Sequence, residues 1–332
     1  MRVSDTRLVS HGAGFELRFD ACQLSYCAQV LETLDGAERL GLRVLRIWAF
    51  CDGQSQWNCL QRAPGDLDER VLGALDWLLA EAHRRGLRLL FTLTNWWEDY
   101  GGVPAYITWS SSCGSKDAFF SDPDCRRWFR GYVSALASRR STVDGLVLGA
   151  HPAVFAWDLC NEPRCPSDPS GALFLGWLAE MAAHLRSLLA PGVPITVGLE
   201  GFDPRLPSCP AWARGLGVPW AEAAELVDFA SLHIWPDQWD TQQGGNPGAW
   251  CRRWIREHAE LLHGKQLLVS EFGCKREWRE TVIPAVLDES ARWGASCLLW
   301  MIACDSYPDY DEYTLHLGDL DEAMLRRWHA PL

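Results

Sequence analysis

The sequence predicts a single (β/α)8 barrel, and three observations lead to that prediction. Eight short runs rich in aliphatic, β-branched or aromatic residues recur along the 332 residues. Segments with apolar residues at three- and four-residue spacing lie between them, as in amphipathic helices. No linker, internal repeat or low-complexity tract divides the chain. Strands that alternate with helices without a break favour one closed barrel over residues 1–332.

The eight runs supply one predicted strand each. In chain order we expect strands at Phe15–Phe19, Arg43–Phe50, Arg88–Asn95, Val154–Asn161, Ile195–Gly201, Phe229–Trp235, Leu267–Phe272 and Cys297–Ile302.

Helical patterns separate these strands. They are clearest in LDERVLGALDWLLAEAHRRG, which ends at a glycine, in ALFLGWLAEMAAHLRSLL and in WCRRWIREHAELLHG. An open, doubly wound sheet is the alternative. Its nucleotide site needs a glycine-rich turn between a strand and a helix, and the short motifs GAG and GLG do not lie there.

Composition excludes several classes of function. Apolar residues make up 48% and charged residues 22% of the chain, as in globular proteins. The net charge of -12 argues against nucleic acid as a partner, because phosphate binding needs a basic face. The apolar run CLLWMIAC is too short to span a bilayer, so no membrane partner is expected. The first 25 residues show no apolar core of a signal peptide.

The thirteen cysteines form no zinc-finger pattern. Cys22 and Cys27 lie five apart, as do Cys160 and Cys165, but neither pair has a second pair at the required spacing. Buried thiols or some disulfides are therefore favoured over a structural zinc. No asparagine lies in an N-glycosylation sequon.

Polar and aromatic residues recur where the predicted strands end. In a (β/α)8 barrel the carboxyl ends of the strands form one rim, which is where such folds place their chemistry. Taken singly, a glutamate after a strand more often caps a helix, and a lone histidine or tryptophan more often belongs to the core. Their coincidence at six strand ends favours a site that comprises Arg46, Trp48, Asn95, Asn161, Glu162, His233, Trp235, Glu271 and Trp300.

This set of side chains suits the cleavage of a bond between sugars. An acid is needed to protonate the leaving oxygen, and a second carboxylate is needed to stabilise or capture the anomeric carbon. Tryptophan rings offer flat surfaces for the C–H face of a pyranose, and amides bind its hydroxyls.

Several segments resemble glycoside hydrolase family 5, and within it the plant-type endo-β-1,4-mannanases. The resemblance runs from about Leu40 to His316, through ordered segments that include LRIWAFCDG, TNWWEDYGG, AWDLCNEPRCPSDPSG, VGLEGF, SLHIWPDQW, LLVSEFG and LLWMIACDSYPDYDEYTLH.

The resemblance implies a role for each candidate residue. Glu162 would be the general acid/base and Glu271 the nucleophile of a retaining double displacement. The substrate-binding and supporting residues would be Trp48, Asn161, Trp235, Trp300, Arg46 and His233. We expect carboxyl groups about 5–5.5 Å apart, a raised pKa for Glu162, and a pKa for Glu271 that Arg46 depresses.

Two positions depart from the family pattern. Trp235 stands where the family has a tyrosine whose hydroxyl bonds the nucleophile, and an indole N–H can only donate. Cys22 and Gln23 stand where a Tyr-Trp pair is usual. The first departure keeps a carbohydrate-binding protein with impaired catalysis among the alternatives.

The resemblance also implies what accompanies the activity. The substrate would be a mannan, glucomannan or galactomannan, with a β-1,4-glucanase as the nearest alternative. No metal or organic cofactor is expected, because acetal hydrolysis needs only carboxylates and water. We expect a monomer, located outside the cell or in its wall.

Overall fold

The computed structural model describes residues 11–15, 24–53, 58–239, 246–309 and 311–319. Eight parallel strands form the central sheet of a (β/α)8 barrel, as predicted. They are β1 (His11–Phe15), β2 (Val44–Trp48), β3 (Arg88–Thr92), β4 (Val154–Asn161), β5 (Ile195–Gly198), β6 (Ala230–Ile234), β7 (Leu267–Phe272) and β8 (Ser296–Trp300).

Each strand pairs with its neighbours in the chain, except that β5 and β6 stand at the two ends of the ladder, and β1 also pairs with β8. Val44 of β2 is in register with Arg88 of β3, and His11 of β1 with Cys297 of β8. The sheet order is therefore β5-β4-β3-β2-β1-β8-β7-β6. The residues just before β6 are bonded to β5: Asp228 N–H donates to the Ile195 carbonyl at 2.9 Å, and Thr196 Oγ1 donates to the Phe229 carbonyl at 2.9 Å.

Helices follow the strands on the outside of the sheet. They are α1 (Leu24–Arg39), α2 (Glu69–Arg84), α3 (Gly102–Trp109), α4 (Pro123–Ser138), α5 (Ala172–Arg186), α6 (Trp220–Glu225), α7 (Pro247–Leu261) and α8 (Arg279–Arg292). Three of them begin at a side-chain cap, because Asp68, Asp122 and Asn246 each accept a backbone N–H of the first turn. The α3 helix is an insertion between β3 and α4.

The predicted strands at Val154–Asn161 and Leu267–Phe272 match the structure in both bounds. The predictions at the second, third, fifth, sixth and eighth strands run past the observed ends, because the continuous ladder ends before the rim residues. The first prediction, Phe15–Phe19, shares Phe15 with the observed strand His11–Phe15 and did not include 11–14; its other residues, 16–19, lie outside the described residues. The departure at Cys22 and Gln23 also lies outside them.

The barrel interior is apolar at its amino end and polar at its carboxyl end. The apolar layer comprises Val44, Leu90, Phe155, Ala156, Phe229, Leu268 and Leu298. A much larger cluster fills the space between sheet and helices, and each fully buried large side chain there stabilises the fold by about 1.5–3 kcal/mol. The apolar plug closes one end, so the polar side chains of the strands meet at the other.

None of the described helices is long and apolar enough to cross a membrane. The twelve cysteines that the structure describes are all free thiols.

Candidate active site

Glu162 stands at the end of β4, with its carboxyl group inside the rim. Its φ of 47° lies in the left-handed region, and its N–H donates to the Gly198 carbonyl of β5 at 2.7 Å. The carboxylate is buried and holds two partners: His233 Nδ1 lies 2.8 Å from Oε1, and Trp97 Nε1 donates to Oε2 at 2.6 Å.

Glu271 lies on β7, in register with His233 on β6. Arg46 Nη1 donates to its Oε2 at 2.7 Å, and Trp235 Nε1 donates to its Oε1 at 2.9 Å. Both oxygens of this buried carboxylate are therefore held by side chains from other strands.

His233 lies between the two glutamates. Its Nδ1 is 2.8 Å from Glu162 Oε1 and 3.8 Å from Glu271 Oε1. One carboxylate oxygen of each glutamate lies within 4.8 Å of the other and of this nitrogen. Such closeness favours the separation of retaining glycosidases, about 5–5.5 Å between carboxyl groups, over the 6.5–9.5 Å of inverting ones.

Arg46 is held by a second carboxylate, which the sequence did not single out. Asp158 Oδ2 on β4 accepts from Arg46 Nη2 at 2.9 Å and from Thr92 Oγ1 at 2.9 Å. Its Oδ1 accepts the Gly198 N–H at 2.7 Å. A Cβ at Gly198 would lie 2.8 Å from Arg46 Nη2 and 2.9 Å from Asp158 Oδ2, so only glycine leaves room for this ion pair.

The expected order of the two carboxyl pKa values was wrong. Burial raises the pKa of Glu162, but hydrogen bonds from His233 and Trp97 outweigh it, so this pKa is lowered. Burial and the neighbouring charge of Glu162 raise the pKa of Glu271, against the opposing influence of His233 and Arg46. The pKa of His233 is raised, because the two glutamates outweigh its burial.

Asn161 is fixed by two neighbours. Its Oδ1 accepts from Arg46 Nη2 at 2.7 Å, and its Nδ2 donates to Asn95 Oδ1 at 3.0 Å. Since an amide nitrogen has two hydrogens, Asn161 keeps one donor for a ligand hydroxyl.

The two glutamates open into a cleft of about 680 Å³. Trp300 ends β8, with its ring centroid 5.9 Å from that of Trp48 and 6.4 Å from that of Trp235. These three tryptophans line the cleft together with Asn161, Glu162 and Glu271, so the structure brings together the predicted residues. Arg46 and His233 lie directly behind the glutamates.

Sequence reasoning missed a second group, on the side of the cleft next to Glu162. Arg164 forms a bidentate pair with buried Glu200, at 2.8 and 2.6 Å, and its guanidinium lies 4.7 Å from the Trp97 ring centroid. Burial raises the pKa of Glu200 to about 8. Trp212, with 49% of its surface exposed, lies beyond them, 5.7 Å from the guanidinium. Both Arg164 and Glu200 lie within the quoted segments AWDLCNEPRCPSDPSG and VGLEGF, which was the available signal.

Three donor atoms, one each on Glu162, His233 and Glu271, lie close enough to surround a metal ion. Each glutamate already accepts two hydrogen bonds or ion pairs from protein N–H groups. The positive and N–H groups around both glutamates thus come from protein side chains, an arrangement that suits acid–base and nucleophilic chemistry.

A family model described as GH family 5 beta-mannosidase-like matches residues 13–287. The chain is 36% identical to mannan endo-1,4-beta-mannosidase 2 of Arabidopsis thaliana, with 86% of this chain and 72% of that protein aligned. It is also 36% identical to putative mannan endo-1,4-beta-mannosidase 5 of Oryza sativa subsp. japonica, over 86% of this chain and 63% of that one. The chain thus spans less than two thirds of the second relative.

Solved structures give the same picture. The endo-1,4-beta-D-mannanase of Thermotoga petrophila superposes with a TM-score of 0.87 at 28% identity, over 96% of this chain and 98% of that one. The endo-1,4-beta-mannanase of Rhizomucor miehei superposes with a TM-score of 0.85 at 23% identity, over 97% of this chain and 94% of that one, a likeness of fold.

Proposed function

The chain belongs to glycoside hydrolase family 5, in its β-mannosidase-like group, and we propose that it is an endo-acting, retaining hydrolase of β-1,4-mannosidic linkages. The proposed substrates are mannans, glucomannans and galactomannans, in line with the names of the plant and Thermotoga relatives. One observation supports the mechanism above all: two buried glutamates face each other across His233, and Arg46 holds one of them.

In the first step, Glu271 attacks the anomeric carbon. The bond from that carbon to the leaving oxygen breaks, an ester bond to a Glu271 oxygen forms, and Glu162 gives its proton to the leaving oxygen. Arg46 opposes the burial that raises the pKa of Glu271 and so favours its ionised form before this step, and Trp235 fixes the orientation of its other oxygen.

In the second step, Glu162 acts as a base. It takes a proton from water, the water oxygen bonds to the anomeric carbon, and the ester bond breaks to regenerate Glu271.

The proton for the first step is held along the bond between His233 and Glu162. In the open cleft, Trp97 and His233 favour the charged form of Glu162, and the pKa of His233 is raised. A bound sugar chain displaces water from the cleft, and a less polar environment favours the neutral pair over the ion pair. The proton then sits on Glu162 Oε1, only 2.8 Å from His233 Nδ1.

The two sides of the cleft hold different parts of the substrate. Trp300 and Trp48 support the sugar whose anomeric carbon reacts, and the free N–H of Asn161 binds its 2-hydroxyl. Arg164, Glu200 and Trp212 lie on the Glu162 side, where the leaving chain departs.

Trp235 does not impair this chemistry. Its N–H donates to Glu271 as a tyrosine hydroxyl would, so the departure from the family pattern preserves the bond that matters. We further propose that 1–332 form one catalytic domain, that the protein is a monomer, and that it acts outside the cell or in its wall.

A panel of polysaccharides tests this function. Reducing ends should be released from glucomannan and galactomannan but not from carboxymethylcellulose. Glu271→Ala and Glu162→Ala should each lose most of that release, whereas Glu260→Ala, at an exposed position of α7, should retain it. Preferred cleavage of carboxymethylcellulose would indicate a glucanase, and binding without release by the parent protein would indicate a carbohydrate-binding protein.

A further inference from the structure

A pair of cysteines lies outside the cleft, in the segment between β3 and β4. Cys113 is in the loop after α3 and Cys125 is in the first turn of α4, and their sulfurs are 3.7 Å apart. Among the twelve cysteines of the described segments, ten are buried, whereas Cys113 and Cys27 are partly accessible. The pair therefore combines one accessible thiol with one buried thiol.

Bonds that do not involve sulfur hold the two cysteines together. Asp122 Oδ1 accepts the N–H groups of Asp124 and Cys125 at 3.0 and 2.9 Å, which caps α4. Its Oδ2 accepts from Ser112 Oγ at 2.6 Å, and Ser112 is the residue before Cys113. Asp122 therefore connects the residue before Cys113 to the first turn of α4, which carries Cys125. These bonds hold the two sulfurs close without any bond between the sulfurs themselves.

A disulfide needs its sulfurs about 2.05 Å apart. From the present 3.7 Å, the closure requires a movement of less than 2 Å. Rotation of the partly accessible Cys113 side chain about its Cα–Cβ bond moves its sulfur by such a distance without moving α4.

We propose that Cys113 and Cys125 are a disulfide-forming pair that closes when the protein meets a small-molecule disulfide such as glutathione disulfide. The Cys113 thiolate attacks glutathione disulfide, forms a mixed disulfide and releases one glutathione. The Cys125 thiolate then attacks Cys113 Sγ and releases the second glutathione. The two thiols lose two protons and two electrons, and glutathione disulfide is reduced to two molecules of glutathione.

The order of attack follows from the surroundings. Burial raises the pKa of the Cys125 thiol, which disfavours its thiolate, and Cys125 is enclosed by the packing of α4. Cys113 is the sulfur that a solvent-borne disulfide can reach. Once Cys113 has reacted, Cys125 is the neighbouring sulfur that can resolve the mixed disulfide.

The segment that the cross-link would enclose supports the cleft wall. Lys116 Nζ donates to the Trp96 carbonyl at 3.3 Å and lies 5.3 Å from the Trp97 ring centroid. Asp117 Oδ2 accepts the Ser167 N–H at 2.7 Å, in the loop that follows Glu162. A closed bridge would therefore hold the loop that packs behind Trp97, and the cleft wall should resist heating better when oxidised.

A metal ion is the competing occupant. Asp122, Cys113 and Cys125 each present a ligand atom within 4.8 Å of the others. Structural zinc takes four protein ligands, and this cluster supplies three, one of which already caps a helix. The arrangement thus favours the disulfide, and zinc becomes a measurable outcome.

The test compares the whole protein after treatment with excess glutathione disulfide or with dithiothreitol, and it does not depend on hydrolytic activity. After alkylation and digestion, the oxidised sample should yield the Cys113 and Cys125 peptides joined, less two hydrogens. Its Tm should exceed that of the reduced sample by about 5 °C, the scale expected for a loop of this length in a chain of this size.

Matched variants make the test specific. Cys113→Ser should abolish both the joined peptide and the difference in Tm, whereas Cys27→Ser should retain both. Alkylation of both cysteines after glutathione disulfide treatment would overturn the proposal. The proposal would also be overturned if the purified protein held about one zinc per chain and this zinc were lost in Cys113→Ser but kept in Cys27→Ser.

Discussion

Trp235 Nε1 donates a hydrogen bond of 2.9 Å to Glu271 Oε1, so an indole fixes the proposed nucleophile. The other oxygen of Glu271 accepts a hydrogen bond from Arg46, so the two donors bind different oxygens of the carboxylate. Neither donor can remove a proton from Glu271, and both favour its charged form.

Replacing Trp235 by phenylalanine should shift the acid limb of the pH–activity profile to higher pH. The indole bond lowers the pKa of Glu271, which burial raises. Without the bond, the pKa of Glu271 rises further, so activity at low pH falls. The value of kcat should also fall about tenfold, because one bond that orients Glu271 is gone. The pH dependence of kcat/KM measures the shift, since it reports the free enzyme. Trp235→Tyr should restore most of the rate, and an acid limb that does not move would contradict the assignment.

Replacing Trp97 by phenylalanine should move the opposite limb. Trp97 donates to Glu162 and lowers its pKa, so its removal raises that pKa. Because Glu162 must be protonated to act as the acid, activity should extend to higher pH. The pH dependence of kcat/KM measures this shift as well, and Trp235→Phe is the matched comparison. If both variants shifted the same limb, the roles of the two glutamates would have to be revised.

Asp158→Asn should destabilise the fold. Asp158 is wholly buried and neutralises Arg46, so the substitution leaves a buried cation with one carboxylate fewer. A loss of about 3–5 kcal/mol in the free energy of unfolding is expected, measured by urea denaturation. Asp124→Asn, in an exposed pair with Arg127, should change it by no more than about 1 kcal/mol. Equal effects of the two substitutions would show that the buried pair of Asp158 and Arg46 contributes no more to stability than an exposed pair.

Trp212→Ala should weaken the hold on the leaving chain. The half-exposed ring beside Arg164 offers a stacking surface on the Glu162 side. We expect kcat/KM for long mannooligosaccharides to fall about 5- to 30-fold, equivalent to about 1–2 kcal/mol. Chains too short to reach the ring should be cleaved as before. The comparison uses a series of defined lengths, with Trp293→Ala, at the C-cap of α8, as the control. A uniform loss across all lengths would instead indicate a general effect on the fold.

The sequence predicted the barrel because its strands are nearly continuous apolar runs, and it predicted Glu162 and Glu271 because both end such runs within family-like segments. It could not predict Asp158, since an aspartate inside an apolar run gives no sign that its side chain meets Arg46 across the barrel.

Contacts made by loop residues could not be predicted from the sequence either. The direction of the Trp97 side chain depends on Lys116 and Arg164, which pack on its ring from two other loops. The pKa order of the glutamates was missed for this reason, because it depends on the indole donated to Glu162. Residues 11–14 of the first strand were missed because the sequence HGAGF has few apolar residues, and the strand depends on pairing with β2 and β8.

The backbone at Glu162 has a further consequence, for the evolution of this protein. A left-handed conformation costs a residue with a side chain about 1–2 kcal/mol relative to the ordinary regions. Glycine is the residue that relieves this strain, and it is also the one that brings no carboxyl group. Stability alone would therefore favour glycine at this position, and in the proposed mechanism the carboxyl group is kept at a thermodynamic cost because turnover needs it.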